Sequence, residues 1–366
     1  MGDRHNFLNL DSRFRFKKTV YFYDKQAPIN PGFPTPSPSV TPSVTPSITP
    51  TPSITPSITP TITPTPSATP IGNNEYTYIV DTTIQTSPGS TVSGATSNTD
   101  QYISPLVITD GTNYVIDWGD GSSSTIANSI KNTHTYSSSG QYTIKIRPEN
   151  PGEKITRILH FATTGDSSKV LEIVNWGNNV CDYSNWEGHL RKCHSLTTLP
   201  SSSQPTFPVG ASMERWFSTM TAFNYNISGW DVSNVTNMNR TFEAIQNVVT
   251  AFNQPIGSWD VSNVTNMVQM FDSAVSFNQS LANWDIRGVT TSAPGSMNGL
   301  LDDCGMSTAN YDATLIGWAG LSSPYPATNL VLGANGLTYT LGGAAETARD
   351  FLTINLSWTI NGDSGV

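Results

Sequence analysis

Short runs of alternating apolar and polar residues fill the stretch from residue 76 to residue 161. The clearest runs lie at residues 76–80, 107–109, 114–118 and 141–146, and turn-forming residues separate them. Alternation with a period of two directs one face of each run toward a core. Several short strands at such regular spacing indicate two packed sheets. The pattern therefore predicts a β-sandwich over residues 72–161.

A different periodicity governs residues 210–290. The sequence Trp-Asp-Val-Ser-Asn-Val-Thr-Asn-Met occurs at residues 230–238 and again at 259–267, and a degenerate third copy begins at Trp284. The tryptophans are 29 and then 25 residues apart, so one unit carries an insertion, placed most simply within residues 243–250. Units this small become stable only by stacking on their neighbours. The spacing predicts a solenoid over residues 162–325.

Aromatic residues recur at fixed places in these units, because a Phe-Asn pair stands seven residues before each tryptophan. Large apolar side chains at repeating positions are typical of a stacking core, and a row of aromatic platforms for a ligand is the alternative. The predicted core residues are Trp230, Trp259, Trp284, Phe223, Phe252 and Phe277.

An aspartate follows each tryptophan, at Asp231, Asp260 and Asp285. Stacking would place the three carboxylates in a ladder along one face, which makes them a candidate surface for recognition. A metal or glycan site on this ladder is one interpretation. Aspartates that cap turns or face solvent are the other.

The tryptophan, the sequence Ser-Asn-Val-Thr-Asn-Met and the following Met-Val-Gln-Met-Phe at residues 267–271 resemble the BspA-type leucine-rich surface repeat. The resemblance is strong over residues 210–290 and weaker over 155–209 and 291–325. It implies that each unit consists of a tryptophan strand, a polar turn and a short helix. A solenoid needs a cap over its last stacking face. A helix predicted at residues 311–319 and the region 326–366 are expected to supply it.

The most specific local signal in the predicted sandwich is a turn motif. Residues 116–121 read Ile-Asp-Trp-Gly-Asp-Gly, and His-Thr-Tyr at 134–136 and Gly-Gln-Tyr-Thr at 140–143 follow. This set resembles the PKD family of immunoglobulin-like sandwiches. The resemblance implies a tight glycine turn and aromatic residues that close the core. The residues concerned are Trp118, Gly119, Asp120, Gly121, Tyr136 and Tyr142.

Two acidic residues of this motif, Asp117 and Asp120, leave two roles open. They form either a calcium pair or caps of the turn. No other cofactor is expected. The PKD resemblance implies display and adhesion and not chemistry.

Residues 34–71 are built from Thr-Pro-Ser repeats, and twelve prolines lie between Pro34 and Pro70. Proline fixes φ, and nothing in this segment supplies an apolar face to bury, so the composition favours polyproline II. Such a segment is a semi-rigid stalk. At about 3.1 Å per residue it would reach on the order of 110 Å.

Residues 1–33 precede the stalk and differ from the remaining chain in charge. Residues 1–31 carry a formal charge of +3, which leaves −12 for the rest of a chain whose net charge is −9. The segment is too short to fold alone, so we expect it to become ordered on a larger acidic or β-edge partner. The predicted docking residues are Arg13, Phe14, Arg15, Phe16, Lys17, Lys18, Tyr21, Phe22 and Tyr23.

Composition and motifs argue against several function classes. Charged residues make up 12% of the chain and its net charge is −9, which opposes phosphate binding by the body of the protein. The five histidines are scattered and no catalytic motif is present, so we expect no enzyme activity. Cys181, His189, Cys193 and His194 match no usual zinc spacing.

These features together predict a non-enzymatic display and adhesion protein of a virus particle, namely a phage capsid decoration or fibre. Residues 1–33 would dock on a capsid or tail protein, and the stalk would project the sandwich and solenoid toward a host-surface protein or glycan. A homo-oligomer or many copies on a symmetric particle are expected. A bacterial surface adhesin of the BspA type is the alternative. The virion hypothesis is favoured because the sequence contains no apolar signal segment and no run of 18 apolar residues. The same observation predicts no membrane insertion.

Overall fold

The computed structural model describes residues 75–84, 99–104, 113–127, 132–150, 153, 166–177, 189–201, 203–245, 248–291 and 297–366. Its strands are β1 (Tyr76–Asp81), β2 (Gln101–Ser104), β3 (Asn113–Asp117), β4 (Ser123–Ala127), β5 (Asn132–Thr135), β6 (Gln141–Pro148), β7 (Val170–Asn175), β8 (Ala211–Ser212), β9 (Val235–Asn237), β10 (Val331–Gly333), β11 (Thr338–Tyr339), β12 (Thr359–Asn361) and β13 (Ser364–Gly365). The helices are α1 (Thr308–Ala319) and α2 (Ala344–Asp350). Short 3₁₀ turns occupy Ser167–Lys169 and Ile286–Gly288, and a π-helical turn, Phe351–Asn355, follows α2. The prediction of a mainly β chain with short helices is confirmed.

The first part of the described chain is a β-sandwich, as the alternating pattern predicts. One sheet has the order β4-β3-β6-β1-β7 and is antiparallel throughout, and the other consists of β2 and β5. Strands β1, β3 and β6 match three of the predicted runs, whereas residues 107–109 lie outside the described residues. Tyrosines fill the space between the sheets, and Tyr78 contacts Tyr102 with ring centroids 6.4 Å apart.

A buried ion pair joins the smaller sheet to the chain that leaves the sandwich. Lys169 Nζ lies 3.3 Å from Asp166 Oδ2, and both side chains are fully buried. Lys169 Nζ also donates to the carbonyl of Gln101, and the N–H of Ile103 donates to Asp166 Oδ2. Both charges are thus bonded to the backbone of β2. Burial lowers the pKa of Lys169, and Asp166 opposes that shift.

Strand β7 belongs to two structures at once. On one side it pairs antiparallel with β1 of the sandwich. On the other, Glu172 forms a parallel bridge with Thr198, and the N–H of Ile173 donates to the Thr198 carbonyl. Trp176 then contacts both Tyr76 and Trp230. The sandwich sheet therefore continues into the repeats, and one hydrophobic core extends through both.

From β7 onward the strand pairings between repeats are parallel throughout the described residues. β8 pairs with β9, β10 with β12 and β11 with β13, and single bridges join Asn237 to Asn266 and Met297 to Leu332. Parallel pairing between segments 24 to 35 residues apart is what stacked repeats produce. The pairing reaches β13, so the region predicted as a cap carries the stack onward.

The short helix that the BspA resemblance implies is absent from the described repeats. Residues 267–271 form consecutive turns, in which the N–H of Met270 donates to the Met267 carbonyl and Gln269 has a φ of +53°. A residue with positive φ cannot continue a right-handed helix. The N–H groups of Gln269 and Phe271 donate instead to the next repeat, at Asn298 and Leu300. The expectation was wrong because hydrogen bonds between repeats replace those within a helix.

The position of the tryptophans also differs from expectation. Each stands before a turn, and the strand of the unit is the later segment β9 or its equivalent bridge at Asn266. The predicted helix at residues 311–319 is present as α1. It packs directly on the preceding repeat, because a Cβ at Gly317 would lie 2.2 Å from the Ala282 carbonyl oxygen.

Candidate surface-recognition sites

The three predicted tryptophans form a buried column. Trp230, Trp259 and Trp284 are 8%, 3% and 0% exposed. The indole Nε1 of Trp259 donates to the Ile227 carbonyl at 3.0 Å, and that of Trp284 donates to Ile256 at 3.0 Å. Each of these two indoles thus joins its own repeat to the one before it. This geometry is that of a stacking core with a satisfied polar end.

The phenylalanines form two parallel columns beside the tryptophans. Phe223, Phe252 and Phe277 make up one column, with centroid separations of 5.9 and 6.2 Å. A second column places Phe242 4.1 Å from Phe252 and Phe271 4.0 Å from Phe277. The ring planes within each of these pairs are nearly parallel, at angles of 2–10°.

The asparagine of each Phe-Asn pair forms a ladder that sequence reasoning missed. Asn224 Oδ1 accepts the N–H of Asn253 at 2.9 Å, and Asn253 Oδ1 accepts the N–H of Asn278 at 2.8 Å. Gln254 Nε2 donates to both oxygens of Asn224. The recurrence of Asn at this position, with Gln after two of the three, was the available signal. These side-chain amides already form hydrogen bonds between repeats, so they are not free for a ligand.

The predicted aspartate ladder caps turns. Asp231 Oδ1 accepts the N–H and hydroxyl of Ser233 at 3.1 and 2.6 Å, and Asp260 does the same with Ser262 at 3.0 and 2.6 Å. Asp285 binds the N–H and guanidinium of Arg287. The Ser233 hydroxyl and N–H lower the pKa of Asp231. No set of three metal-ligating side chains gathers in the described ranges.

The glycine turn of the sandwich sits over a stack of rings. Trp118 is 2% exposed, and its Nε1 donates to Ser124 Oγ at 3.0 Å. His134 stacks on Trp118 at 4.8 Å, and Tyr136 stacks on Tyr142 at 3.6 Å. The Tyr136 hydroxyl donates to the Trp118 carbonyl. The packed rings therefore hold the turn in place through Trp118. Tyr136 is buried and Tyr142 is half-buried.

Both acidic residues of this turn accept hydrogen bonds from the turn itself. Asp117 Oδ1 accepts the N–H of Gly119, and Asp120 Oδ1 accepts the N–H and hydroxyl of Ser122. Asp120 Oδ2 lies 2.8 Å from His134 Nε2. Burial alone would raise the pKa of Asp120, but the bonds from Ser122 and His134 lower it to about 2. The carboxylates cap the turn, which is one of the two roles that the sequence left open.

Two glycines of the motif provide a matched test of the turn. Gly119 and Gly121 have φ of +82° and +90°, but only a Cβ at Gly119 would clash, 2.5 Å from the Thr143 carbonyl oxygen. We expect Gly119→Ala to lower the free energy of unfolding by about 3 kcal/mol, through positive φ and steric overlap. Gly121→Ala should cost about 1 kcal/mol, through φ alone. Urea denaturation measures both, and equal losses would contradict the close approach.

The remaining predicted residues fall in two groups. The docking residues between Arg13 and Tyr23, and the stalk, lie outside the described residues, as does Cys181. Cys193 and Cys304 are buried free thiols, and burial raises the pKa of Cys304 to about 11. Such thiols behave as small apolar residues.

Comparison with known families gives two matches. A family model described as "Mycoplasma protein of unknown function, DUF285" matches residues 208–301, and a PKD domain model matches residues 81–163. No curated protein and no solved structure matches the chain. The PKD assignment of the sandwich is confirmed. Within the repeats, residues 208–301 match the DUF285 family model.

The two matches indicate a surface protein of the adhesion type. Among the described residues, no helix combines the length and the apolar character that a membrane span requires.

Proposed function

We propose that the chain is a non-enzymatic display and adhesion protein whose leucine-rich-repeat-like solenoid forms the recognition end. One observation carries the proposal. The repeats use their aromatic and Asn side chains to hold the stack together and their Asp side chains to cap turns, which leaves a regular and weakly charged outer surface. Asn224, Asn253, Trp259 and Trp284 all serve this stacking. A stacked array of this kind is a scaffold for an extended binding surface.

The junction at β7 supports a projecting role. Because β7 pairs with β1 and bridges to Thr198, the sandwich and the repeats form one continuous structure. A stalk in the polyproline II conformation would hold this structure away from the point where the chain is attached. In the described part of the chain, His134 serves the turn through Asp120, which favours a structural role over catalysis.

We place the attachment point on a virus particle, at a capsid or tail protein that receives residues 1–33. The support is the charge of +3 in residues 1–31 against −12 in the remaining chain. Charge complementarity of this kind favours docking on an acidic surface. Many copies on a symmetric particle would present many sandwich and repeat bodies at once.

A bacterial cell surface is the second candidate location. The description of the DUF285 family, which names Mycoplasma proteins, favours it. Both locations share the adhesive role and differ in what holds residues 1–33.

Antibodies against residues 75–366 can separate the two locations. On the virion proposal, they label purified virus particles, and deletion of residues 1–33 abolishes incorporation of the protein. Deletion of residues 35–67 removes the same number of stalk residues and should leave incorporation intact. Labelling of intact bacterial cells in the absence of virus would favour the second candidate. Normal incorporation without residues 1–33 would refute the docking role.

A further inference from the structure

One tryptophan of the stacked column lacks the bond that its equivalents make. Trp259, Trp284, Trp318 and Trp358 each donate Nε1 to a carbonyl of an earlier segment, at 3.0, 3.0, 3.1 and 2.9 Å. Trp230 comes first in the column, and its Nε1 has no acceptor within the part of the chain that the structure describes. Its indole is still 8% exposed.

The register of the repeats explains the difference. Asn263 Nδ2 donates to the Ser233 carbonyl, and Asn234 Nδ2 donates to the Phe207 carbonyl. By this correspondence Gln204 occupies the place of a tryptophan in the preceding repeat. Ser201 then stands where Ile227 accepts the next indole. The indole Nε1 of Trp230 makes no such bond to Ser201. A cleft of about 670 Å³ lies between these two residues instead.

The cleft combines aromatic residues with neutral polar groups. Its described lining includes Ser201, Gln204, Tyr225, Asn226 and Trp230, and no charged side chain is among the described residues that line it. Gln204 Oε1 accepts the N–H of Asp231, and Asn226 Oδ1 accepts the N–H of Ser228. The amide nitrogens of both side chains have no acceptor among the described residues. They remain available as donors, together with the Tyr225 hydroxyl and the Trp230 indole.

We propose that this cleft binds a neutral oligosaccharide. A sugar offers hydroxyl oxygens to the free N–H donors and apolar C–H faces to the rings of Tyr225 and Trp230. An anionic ligand would lack the cationic partner that such recognition uses. The volume falls within the range of small-ligand sites. The proposal rests on the adhesive function above and assigns its ligand class and site.

Gly229 allows the cleft to be filled without changing the fold. It lines the cleft, and a Cβ built there meets no atom within 4 Å. The next repeat carries Ser258 at the same place, and that residue is exposed. Gly229→Arg should therefore fold normally and occupy the cleft. Gly140 of the sandwich has equally open space around its Cβ, so Gly140→Arg is the matched control.

The test uses the full chain on an array of neutral, sialylated and sulfated glycans, and the strongest neutral glycan is then titrated in solution. We expect Gly229→Arg to weaken binding at least tenfold, and Gly140→Arg to leave it unchanged. Trp230→Phe should weaken it about three- to tenfold, the effect of one lost hydrogen bond. Trp259→Phe, which loses a bond inside the stack, should melt at a lower temperature and still bind.

The outcomes separate this proposal from the proposed function. If the wild type binds neutral glycans and Gly229→Arg binds equally well, the site is wrong and adhesion stands. Binding to host cells that persists after removal of their glycans, or selection of charged glycans, refutes the ligand class and indicates a peptide or another site. If neither cells nor glycans are bound, the adhesive function itself fails.

Discussion

Phe252→Ala is expected to lower the free energy of unfolding by about 3–5 kcal/mol, the usual range for a buried phenylalanine. Phe252 is 3% exposed and stacks on Phe223, Phe242 and Phe277. Its removal opens a cavity that interrupts both phenylalanine columns. Each repeat is stable only through its neighbours, so the loss should weaken the stack on both sides. Chemical denaturation followed by tryptophan fluorescence measures it.

Val249→Ala is the matched control for this substitution. Val249 lies three residues away in the same segment but is 65% exposed. A surface truncation of this kind should change stability by less than about 0.5 kcal/mol. If both variants lost the same stability, the phenylalanine columns would not be the source of cohesion in the array.

Lys169→Met is expected to lower the free energy of unfolding by about 3–5 kcal/mol at pH 7, because it removes the cation beside the buried carboxylate of Asp166. It also removes the donor that Lys169 offers to the Gln101 carbonyl. Denaturation by urea measures the difference. Lys145→Met is the control, because Lys145 is a half-buried lysine of β6 with no ion pair among the described residues.

The same variant makes a prediction about pH. Without the Lys169 cation, burial raises the folded-state pKa of the Asp166 carboxyl above its unfolded value, so protonation favours the folded state as the pH falls. The destabilisation by Lys169→Met should therefore shrink between pH 7 and pH 4. A difference from the wild type that stays constant over this range would show that Asp166 is not left charged and buried.

Much of the fold could be predicted from residue patterns, because burial depends on side-chain type. The alternating runs located β1, β3 and β6, and the Gly-Asp-Gly motif located the turn over Trp118. The repeated Trp and Phe positions located residues that are buried in the structure. The second sheet was harder, because β5 has a polar sequence, Asn132–Thr135, whose half-buried residues alternate with exposed ones.

Local conformation in the repeats was predicted less well. The sequence Met-x-x-Met-Phe has apolar residues at helical spacing, yet Arg240 and Gln269 have positive φ and the N–H of Phe271 donates to the next repeat. The spacing of apolar residues indicates which face is buried. It does not indicate which carbonyl accepts the hydrogen bond of each backbone N–H. Where a neighbouring repeat offers acceptors, turns satisfy the backbone as well as a helix does.

The sequence by itself determined that the chain has a sandwich and a stacked array, and which large residues form their cores, because apolar side chains must leave water wherever the fold puts them. Only the tertiary structure decided what the polar residues do. The partners of Asn224, Gln204 and Trp259 depend on the register between segments far apart in the chain. That register also leaves the Trp230 indole without an acceptor among the described residues, beside a cleft that no local pattern marks.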